Sequence, residues 1–427
     1  MSASRNLEIA LKNGKGASDV KDFETMKKNQ DVLTSFPDTY RTTDRYYLED
    51  AAITVTSPSL GSQVQFEVKD TDMMVGNFML DIKIAVSATT ACAEGWVANL
   101  LNRIEVRLGG NRLTWMSGQA LAYNLLVENT SRSDKQRIME MFGSVSGTGS
   151  GSVADGSRFC VPLICPGSKG LINNPMNIDQ KPLFPVGMAG QSLMFYITLE
   201  GTAGNIEPNG KITVSSMVLR YNRARVKDKA FIPTPTSGLK KAIYSFVFPY
   251  VQEDVYAITD AATNASVNQD IKSVITQGEL QHLIVVKSTA AKYDIGSGVG
   301  SGRFDGGEVK SFTLSVEGNP TYSVSSTQEY RLKNLMLNKS TALLPKGDGT
   351  DGGGYFYVIP ISPNYTYDLF NLGAPGINFN QSNMILTTES IVNGTAVKLF
   401  VCAVYKAVIH IYDNKSAEIK YDMSNPY

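Results

Sequence analysis

The chain has 427 residues, with 40 Lys and Arg against 40 Asp and Glu. A formal net charge of zero excludes a protein whose main task is to neutralise phosphate, because such binding depends on an excess of Lys and Arg. Charged residues are only 19% of the chain, whereas Gly contributes 37 residues, Tyr 20 and Phe 17. This composition is typical of strands and tight turns, and a chain of this length folds without disulfides or structural metals.

Residues 1–45 form a predicted N-terminal helical arm. Ser18 can cap a helix, its apolar residues recur near the 3.6-residue period, and Pro37 ends it. These apolar residues are Val20, Phe23, Met26 and Leu33. The arm holds eight basic and seven acidic residues, so its charge is not that of a nucleic-acid-binding tail.

From Ala52 onward, apolar and polar residues alternate with the period of two that predicts half-buried strands in antiparallel sheets. The predicted strands of the first half are 53–55, 64–68, 78–86, 104–108, 193–199 and 212–214. Two helices, at 118–128 and 133–142, follow the fourth strand, and a Gly/Ser-rich loop is predicted from Gly143 to Ser157.

A hinge is predicted between Arg223 and Gly238, where Pro233 and Pro235 interrupt the strand pattern. The alternation then resumes and predicts a second β region. Its predicted strands are 243–248, 283–286, 312–316, 355–359, 397–401 and 408–411.

An internal repeat connects the two halves. The segment from Arg103 to Asn111 aligns without gaps on Ser311 to Asn319 and keeps both the apolar phase and the Gly-Asn turn. Further along, Asn124 to Val127 falls on Asn334 to Leu337. The repeat predicts two copies of a β-sandwich of roughly 180 residues each, and chance similarity between two β segments is the alternative.

Searches for catalytic and cofactor motifs find little. His282 and His410 are the only histidines, and both lie in strand-like apolar segments rather than beside a nucleophile. The string Gly347 to Gly352 fits G-x-G-x-x-G, but it lacks the preceding strand and following helix of a dinucleotide site. We therefore predict no catalytic residue and no cofactor.

The potential metal ligands also favour a structural interpretation. Cys160 and Cys165 have no second pair at a zinc-binding spacing, so no metal is predicted there. Asp348 and Asp351 could hold calcium, but an exposed Gly/Asp-rich turn is the simpler interpretation. Cys402 lies in an apolar run and is predicted to be a buried free thiol. The N-terminus lacks a signal-peptide pattern, so synthesis is expected in a cytoplasm.

Several strings, in their order along the chain, resemble the major capsid proteins of double jelly-roll viruses. They are Asn102 to Leu113 followed by a helix, Pro182 to Val186, Leu193 to Leu199 and Met217 to Tyr221. The family includes tailless membrane-containing phages and large eukaryotic DNA viruses. The resemblance implies an all-β fold of two tandem eight-stranded jelly rolls, with short helices in the connections and an N-terminal helical arm.

The expected domains are an arm at 1–45, a first jelly roll at 46–228, a linker at 229–240, a second jelly roll at 241–413 and a C-terminal tail at 414–427. The resemblance implies a structural protein and not an enzyme. It further implies a homotrimer that forms a pseudo-hexameric capsomer, and many such capsomers tile an icosahedral shell.

The implied partners are the other chains of the homotrimer, neighbouring capsomers, minor capsid proteins and, as often in this family, an internal membrane vesicle. Direct sequence-specific nucleic-acid binding is not expected. The implied location is the virion shell, after synthesis in the host cytoplasm. The arm residues Val20, Phe23, Met26 and Leu33 are the predicted assembly contacts, with an ordinary intramolecular helix contact as the alternative.

Two other functions compete with this interpretation. One is a carbohydrate-binding or hydrolytic β-sandwich protein, which exposed aromatic rings beside clustered acids would favour. The other is a different virion component, such as a vertex protein. Trp96 and Trp115 are the only tryptophans, and we expect both to pack in the core.

Overall fold

The computed structural model describes most of the chain between residues 46 and 420. The described residues are 46–69, 73–88, 90–92, 95–128, 132–143, 151–166, 184, 186–201, 206, 210–226, 242–259, 266–271, 279–289, 309–316, 318–336, 343–345, 351–360, 377–378, 384–390, 396–412 and 416–420. The predicted arm and the predicted linker at 229–240 lie outside them.

Ten strands and four helices form the described part of the first half. The strands are β1 (Tyr46–Thr56), β2 (Gln63–Val68), β3 (Met73–Val86), β4 (Thr90–Cys92), β5 (Leu101–Leu108), β6 (Asn111–Met116), β7 (Gly151–Val153), β8 (Arg158–Pro162), β9 (Leu193–Leu199) and β10 (Ile212–Val226). The helices are α1 (Trp96–Leu100), α2 (Gly118–Glu128), α3 (Arg132–Met141) and α4 (Val186–Ala189).

Twelve strands and one helix form the described part of the second half. The strands are β11 (Ala242–Thr259), β12 (Ser266–Ile271), β13 (Glu279–Thr289), β14 (Val309–Val316), β15 (Asn319–Val324), β16 (Leu343–Pro345), β17 (Asp351–Tyr355), β18 (Tyr357–Pro360), β19 (Ile377–Asn378), β20 (Met384–Ser390), β21 (Ala396–Tyr412) and β22 (Ala417–Lys420). The helix is α5 (Thr327–Met336). Across the described parts of both halves, no helix combines the length and apolar character needed to cross a bilayer.

The first half is a sandwich of two antiparallel four-stranded sheets. One sheet has the order β1-β10-β3-β8 and the other β2-β9-β5-β6. Alternate side chains of each strand fill the space between the sheets, as the period of two requires. Phe78 on β3 and Phe195 on β9 meet there with ring centroids 4.9 Å apart, and neither is more than 1% exposed.

The second half repeats this order. Its sheets are β11-β21-β13-β18, with β19 and β22 added at the sides, and β12-β20-β14-β15. Phe312 on β14 and Tyr357 on β18 join the two sheets with ring centroids 5.4 Å apart. Each half is therefore a jelly roll with eight strands in its two main sheets, and the predicted fold is confirmed.

The repeat found in the sequence is a repeated hairpin followed by a helix. In the first half Leu108 pairs with Asn111 across the β5–β6 turn, and in the second Val316 pairs with Asn319 across the β14–β15 turn. Helix α2 follows the first hairpin and α5 the second. The aligned segments thus have the same place in the two jelly rolls, which favours duplication over chance similarity.

Two local predictions are wrong. The segments 397–401 and 408–411 belong to one strand, β21, because the residues between them, apolar apart from Lys406, continue its pairing with β11. The predicted loop from Gly143 to Ser157 contains β7, whose three residues pair with β4 and are too few to show a period. The predicted C-terminal tail contains β22, which pairs with β21. The domain boundaries themselves stay predictions.

Helix α2 begins at a close contact with α1. A Cβ atom at Gly118 would lie 2.4 Å from the Ala98 carbonyl oxygen and 2.8 Å from the Leu101 Cβ. Both neighbours are buried, and one is backbone, so neither can move aside cheaply. Gly118 therefore sets how closely the two helices approach.

We expect Gly118→Ala to lower the free energy of unfolding by about 1–3 kcal/mol, the usual cost of overpacking a core. The matched control is Gly110→Ala, because nothing lies within 4 Å of a Cβ at that turn. The control should change stability by less than about 0.5 kcal/mol. Urea unfolding followed by circular dichroism measures both, and equal stability of the two variants would contradict this assignment.

Candidate assembly interface

Helix α2 lies between the two jelly rolls. Residues 118–127 are all buried, and the helix accordingly has no stripe of polar residues that would mark a side exposed to solvent. Tyr123, only 1% exposed, places its ring 5.7 Å from that of Phe356 and 5.6 Å from that of Phe400. These partners belong to the second jelly roll, so α2 connects the two halves.

The surface that receives α2 is the outer face of the β11-β21-β13-β18 sheet. In the β13–β21 pairing, Val286 lies beside Phe400 and Ile284 beside Cys402, so these four side chains share one face. All four are at most 1% exposed. Strands β13 and β21 are therefore apolar on both faces, which is the pattern of strands covered on both sides.

A buried polar contact fixes the register of α2 on this sheet. The Asn124 Nδ2 donates to the Ala120 carbonyl oxygen at 2.7 Å and to the Cys402 Sγ at 3.2 Å. Burial raises the pKa of the Cys402 thiol far above its ordinary range. The thiol therefore stays protonated and acts as a packing group, and its prediction as a buried free thiol is confirmed.

A lysine is buried beside the aromatic rings that join the two jelly rolls. Lys135 on α3 is 2% exposed, and its Nζ lies 5.8 Å from the centroid of the Phe356 ring. Burial lowers the pKa of Lys135 to about 8. Phe356 thus contacts the ring of Tyr123 and the ammonium of Lys135, both from the first jelly roll.

Two hydrogen bonds extend this interface along its length. The Ser117 backbone N–H donates to the Glu253 Oε2 at 2.6 Å, and the Asn111 Nδ2 donates to the Ala417 carbonyl oxygen at 3.2 Å. They tie the hairpin and the start of α2 to β11 and β22. Contacts from Asn111 through Lys135 therefore hold the two jelly rolls as one unit.

A cleft of about 420 Å³ opens beside Ser117, between the jelly rolls. It is lined by Asn102, Arg103, Trp115, Met116, Ser117, Thr198, Glu253, Asp254 and Val255. Burial raises the pKa of Asp254, and the hydrogen bond from Gln252 partly offsets this.

The two tryptophans differ in how far their side chains are buried. Trp96 is fully buried in α1 and packs edge-on against Phe159, so its predicted core role is confirmed. Trp115 is partly exposed in the cleft, so its predicted core position is wrong. The guanidinium carbons of Arg103 and Arg112 lie 5.2 and 5.9 Å from the centroid of its ring. This ring is already stacked by cations and does not form an open platform for a sugar.

The other residues singled out in the sequence are dispersed. Val20, Phe23, Met26, Leu33 and Asp348 lie outside the described residues, as does the side chain of Asp351. His282 on β13 is fully buried, and His410 on β21 is half-buried, with its pKa lowered by burial and by Lys420. The four cysteines are free thiols, and the described residues contain no cluster of three metal-binding side chains.

Sequence reasoning did not find the residues that join the halves. Tyr123 and Phe356 lie in segments without a motif. One available signal was that α2 is largely apolar and its few polar residues form no stripe, which predicts a helix covered on all sides.

Solved structures share this double jelly-roll fold. The PBCV-1 protein VP54, fitted into a reconstruction of the Sputnik virophage, has a TM-score of 0.60 and 12% identity, over 90% of this chain and 99% of VP54. The Faustovirus major capsid protein has a TM-score of 0.56 and 11% identity, over 93% and 100%. The mavirus major capsid protein has a TM-score of 0.51 and 10% identity, over 90% and 91%.

These likenesses establish the fold, and they confirm that the fold implied by the resemblance in the sequence is correct. The chain has the double jelly-roll fold, and the Faustovirus and mavirus proteins that share it are major capsid proteins. A scan against protein-family models finds no match, and a search of curated proteins finds none.

The buried ammonium of Lys135 predicts a specific pH dependence of stability. Its pKa is about 8 in the folded chain and near the ordinary value of 10.5 in the unfolded chain. Between these values the unfolded chain binds a proton that the folded chain does not, so stability rises with pH. We expect the stability advantage of Lys135→Met over the natural chain to shrink by roughly 3 kcal/mol from pH 7 to pH 10.

Urea unfolding at several pH values measures this difference. Lys69→Met is the matched control, because the Lys69 side chain is 69% exposed. A difference between Lys135→Met and the natural chain that stays constant over this pH range would contradict the prediction.

Proposed function

We propose that this protein is a viral major capsid protein whose homotrimers form pseudo-hexameric capsomers of an icosahedral shell. The observation that carries the proposal is the pair of jelly rolls with one sheet order, held together by α2. The similarity to solved major capsid proteins over at least 90% of this chain supports it. The proposed role is structural and not catalytic.

Simple geometry explains how two jelly rolls in one chain can build a pseudo-hexameric capsomer, which we call a tile. Two similar jelly rolls side by side occupy two positions of a ring, and three copies of the chain complete six. Head-to-tail contacts between copies generate a closed ring when the rotation closes. Contacts between tiles can be individually weak, because a closed shell multiplies them.

The proposed partners are the other two chains of the trimer, neighbouring capsomers, minor capsid proteins and a membrane vesicle beneath the shell. The proposed location is the virion shell. Four free thiols support synthesis in a reducing cytoplasm of the host.

The molar mass in solution tests the trimer. Size-exclusion chromatography with light scattering should give about 140 kDa, three times the 46.4 kDa chain. A ring of subunits that bury roughly 2,000 Å² or more at each contact should keep this mass on moderate dilution. A stable monomer that binds glycans on an array would contradict the proposal and favour the carbohydrate-binding alternative.

The N-terminal arm is proposed to connect tiles through Val20, Phe23, Met26 and Leu33. Deletion of residues 1–36 should leave soluble trimers but impair closure of shells, because the jelly rolls begin after this segment. Light scattering of the deletion variant and electron microscopy of assembled particles measure the two effects. Normal shell closure without the arm would contradict this role.

A further inference from the structure

The two repeated helices can be aligned through their N-terminal caps. The Ser117 Oγ accepts from the Ala120 N–H at 3.2 Å, and the Ser326 Oγ accepts from the Glu329 N–H at 3.1 Å. These equivalent caps align α2 on α5 one residue away from the sequence alignment of Asn124 on Asn334, so that Asn124 falls on Lys333. Six residues after each cap lie Tyr123 in α2 and Leu332 in α5.

Each helix has a buried residue at the same aligned position. Leu121 and its aligned partner Tyr330 are both fully buried. Tyr330 packs against the rings of Phe312 and Tyr357, with centroids 5.7 and 5.1 Å away, and its hydroxyl accepts from the Val358 N–H at 2.6 Å. Helix α5 is therefore held against its own jelly roll by Tyr330, and the opposite side of the helix faces away from that jelly roll.

The opposite sides of the two helices differ in what covers them. Tyr123 is 1% exposed because the second jelly roll covers it, whereas Leu332 is 57% exposed. Within the chain, helix α2 of the first jelly roll packs on the second jelly roll. The helix of the second jelly roll has its corresponding apolar side chain open to a partner.

The outer sheet faces of the two jelly rolls can also be aligned with each other, through equivalent pairs of residues on neighbouring strands. Met79 on β3 pairs with Pro162 on β8, and His282 on β13 pairs with Pro360 on β18. The outer face of the first jelly roll around Met79 thus corresponds to the face that receives α2 in the second. His282 is fully buried there, whereas Met79 is 39% exposed.

We infer that α5 of one copy of this chain packs on the outer face of the β1-β10-β3-β8 sheet of the next copy, with Leu332 beside Met79. This contact repeats, between copies, the contact that α2 makes within each chain, and it rests on the proposed trimer. It continues the established interface around the ring. Of the three large apolar side chains that are exposed among the described residues, Met79 and Leu332 are two.

Charged groups lie near both Met79 and Leu332, and they are paired within their own surfaces. Near Met79, the guanidinium groups of Arg158 and Arg220, with side chains 62% and 45% exposed, share the single carboxylate of Asp81. This leaves an excess of positive charge on the receiving face. On helix α5, the carboxylate of Glu329 lies one turn before Leu332, but it is paired with the Lys333 ammonium at 2.8 Å and accepts hydrogen bonds from the Ser325 N–H and hydroxyl. The contact therefore rests on the apolar side chains and not on charge.

The first test is Leu332→Asp, measured by light scattering over a dilution series. Burial of the new carboxylate in an apolar contact should raise the concentration at which the trimer dissociates by roughly tenfold or more. Circular dichroism should show an unchanged fold, since Leu332 is exposed within the chain. Val255→Asp is the matched control, because Val255, at 47%, is the remaining exposed large apolar residue of the described chain and lines the cleft inside the chain, on neither of the two surfaces proposed to meet. Circular dichroism checks the fold of this variant as well.

The outcomes separate this inference from the proposed function. A natural chain that is monomeric would overturn the trimer itself. A natural trimer whose dissociation is unchanged by Leu332→Asp, or changed equally by Val255→Asp, would overturn only the placement of α5.

A cross-linking experiment tests the same contact without weakening it. Cys160 is exposed on β8 and pairs with Asp81, so it lies on the receiving face. A flexible bismaleimide should join Leu332→Cys of one copy to Cys160 of the next and yield covalent dimers and trimers. These products should disappear when Cys160→Ser is added, and Val255→Cys should not form them. Failure of Leu332→Cys to form covalent dimers would count against the contact.

Discussion

The architecture depends on the burial of one apolar helix between two sheets. Helix α2 has no polar side, and the outer face of the β11-β21-β13-β18 sheet is equally apolar around Phe400 and Cys402. Separated jelly rolls would expose both surfaces to water, at a cost that grows with the apolar area. The two halves are therefore one structural unit, in which Asn124 sets the register and Tyr123 fills the contact.

The two jelly rolls share a topology but differ in the chemistry of their outer faces. Ile284 of the second corresponds to Asp81 of the first, which accepts hydrogen bonds from Arg220 at 3.0 and 2.9 Å. An apolar face suits a contact that is permanent within the chain. A face of paired charges around one exposed methionine suits a contact formed after folding, because the chain remains soluble until its partner arrives.

The sequence predicted the elements whose residue period is regular. The strand at 193–199 has the predicted bounds because its alternation is uninterrupted, and the helix at 118–128 also has the predicted bounds although its polar residues form no stripe. It failed at β21, where burial on both faces removes the alternation, and at Trp115, where cationic neighbours keep an aromatic ring at the surface. Tyr123 and Phe356 come together only through the packing of two domains, which no local pattern records.

The most direct test of the account is a cryo-electron microscopy reconstruction of the purified protein at a resolution that shows helices. We expect a threefold particle with six jelly rolls in one ring, in which α2 fills the contact inside each chain and α5 the contact between chains. A particle whose two jelly rolls meet through other surfaces, or one without a ring, would contradict it.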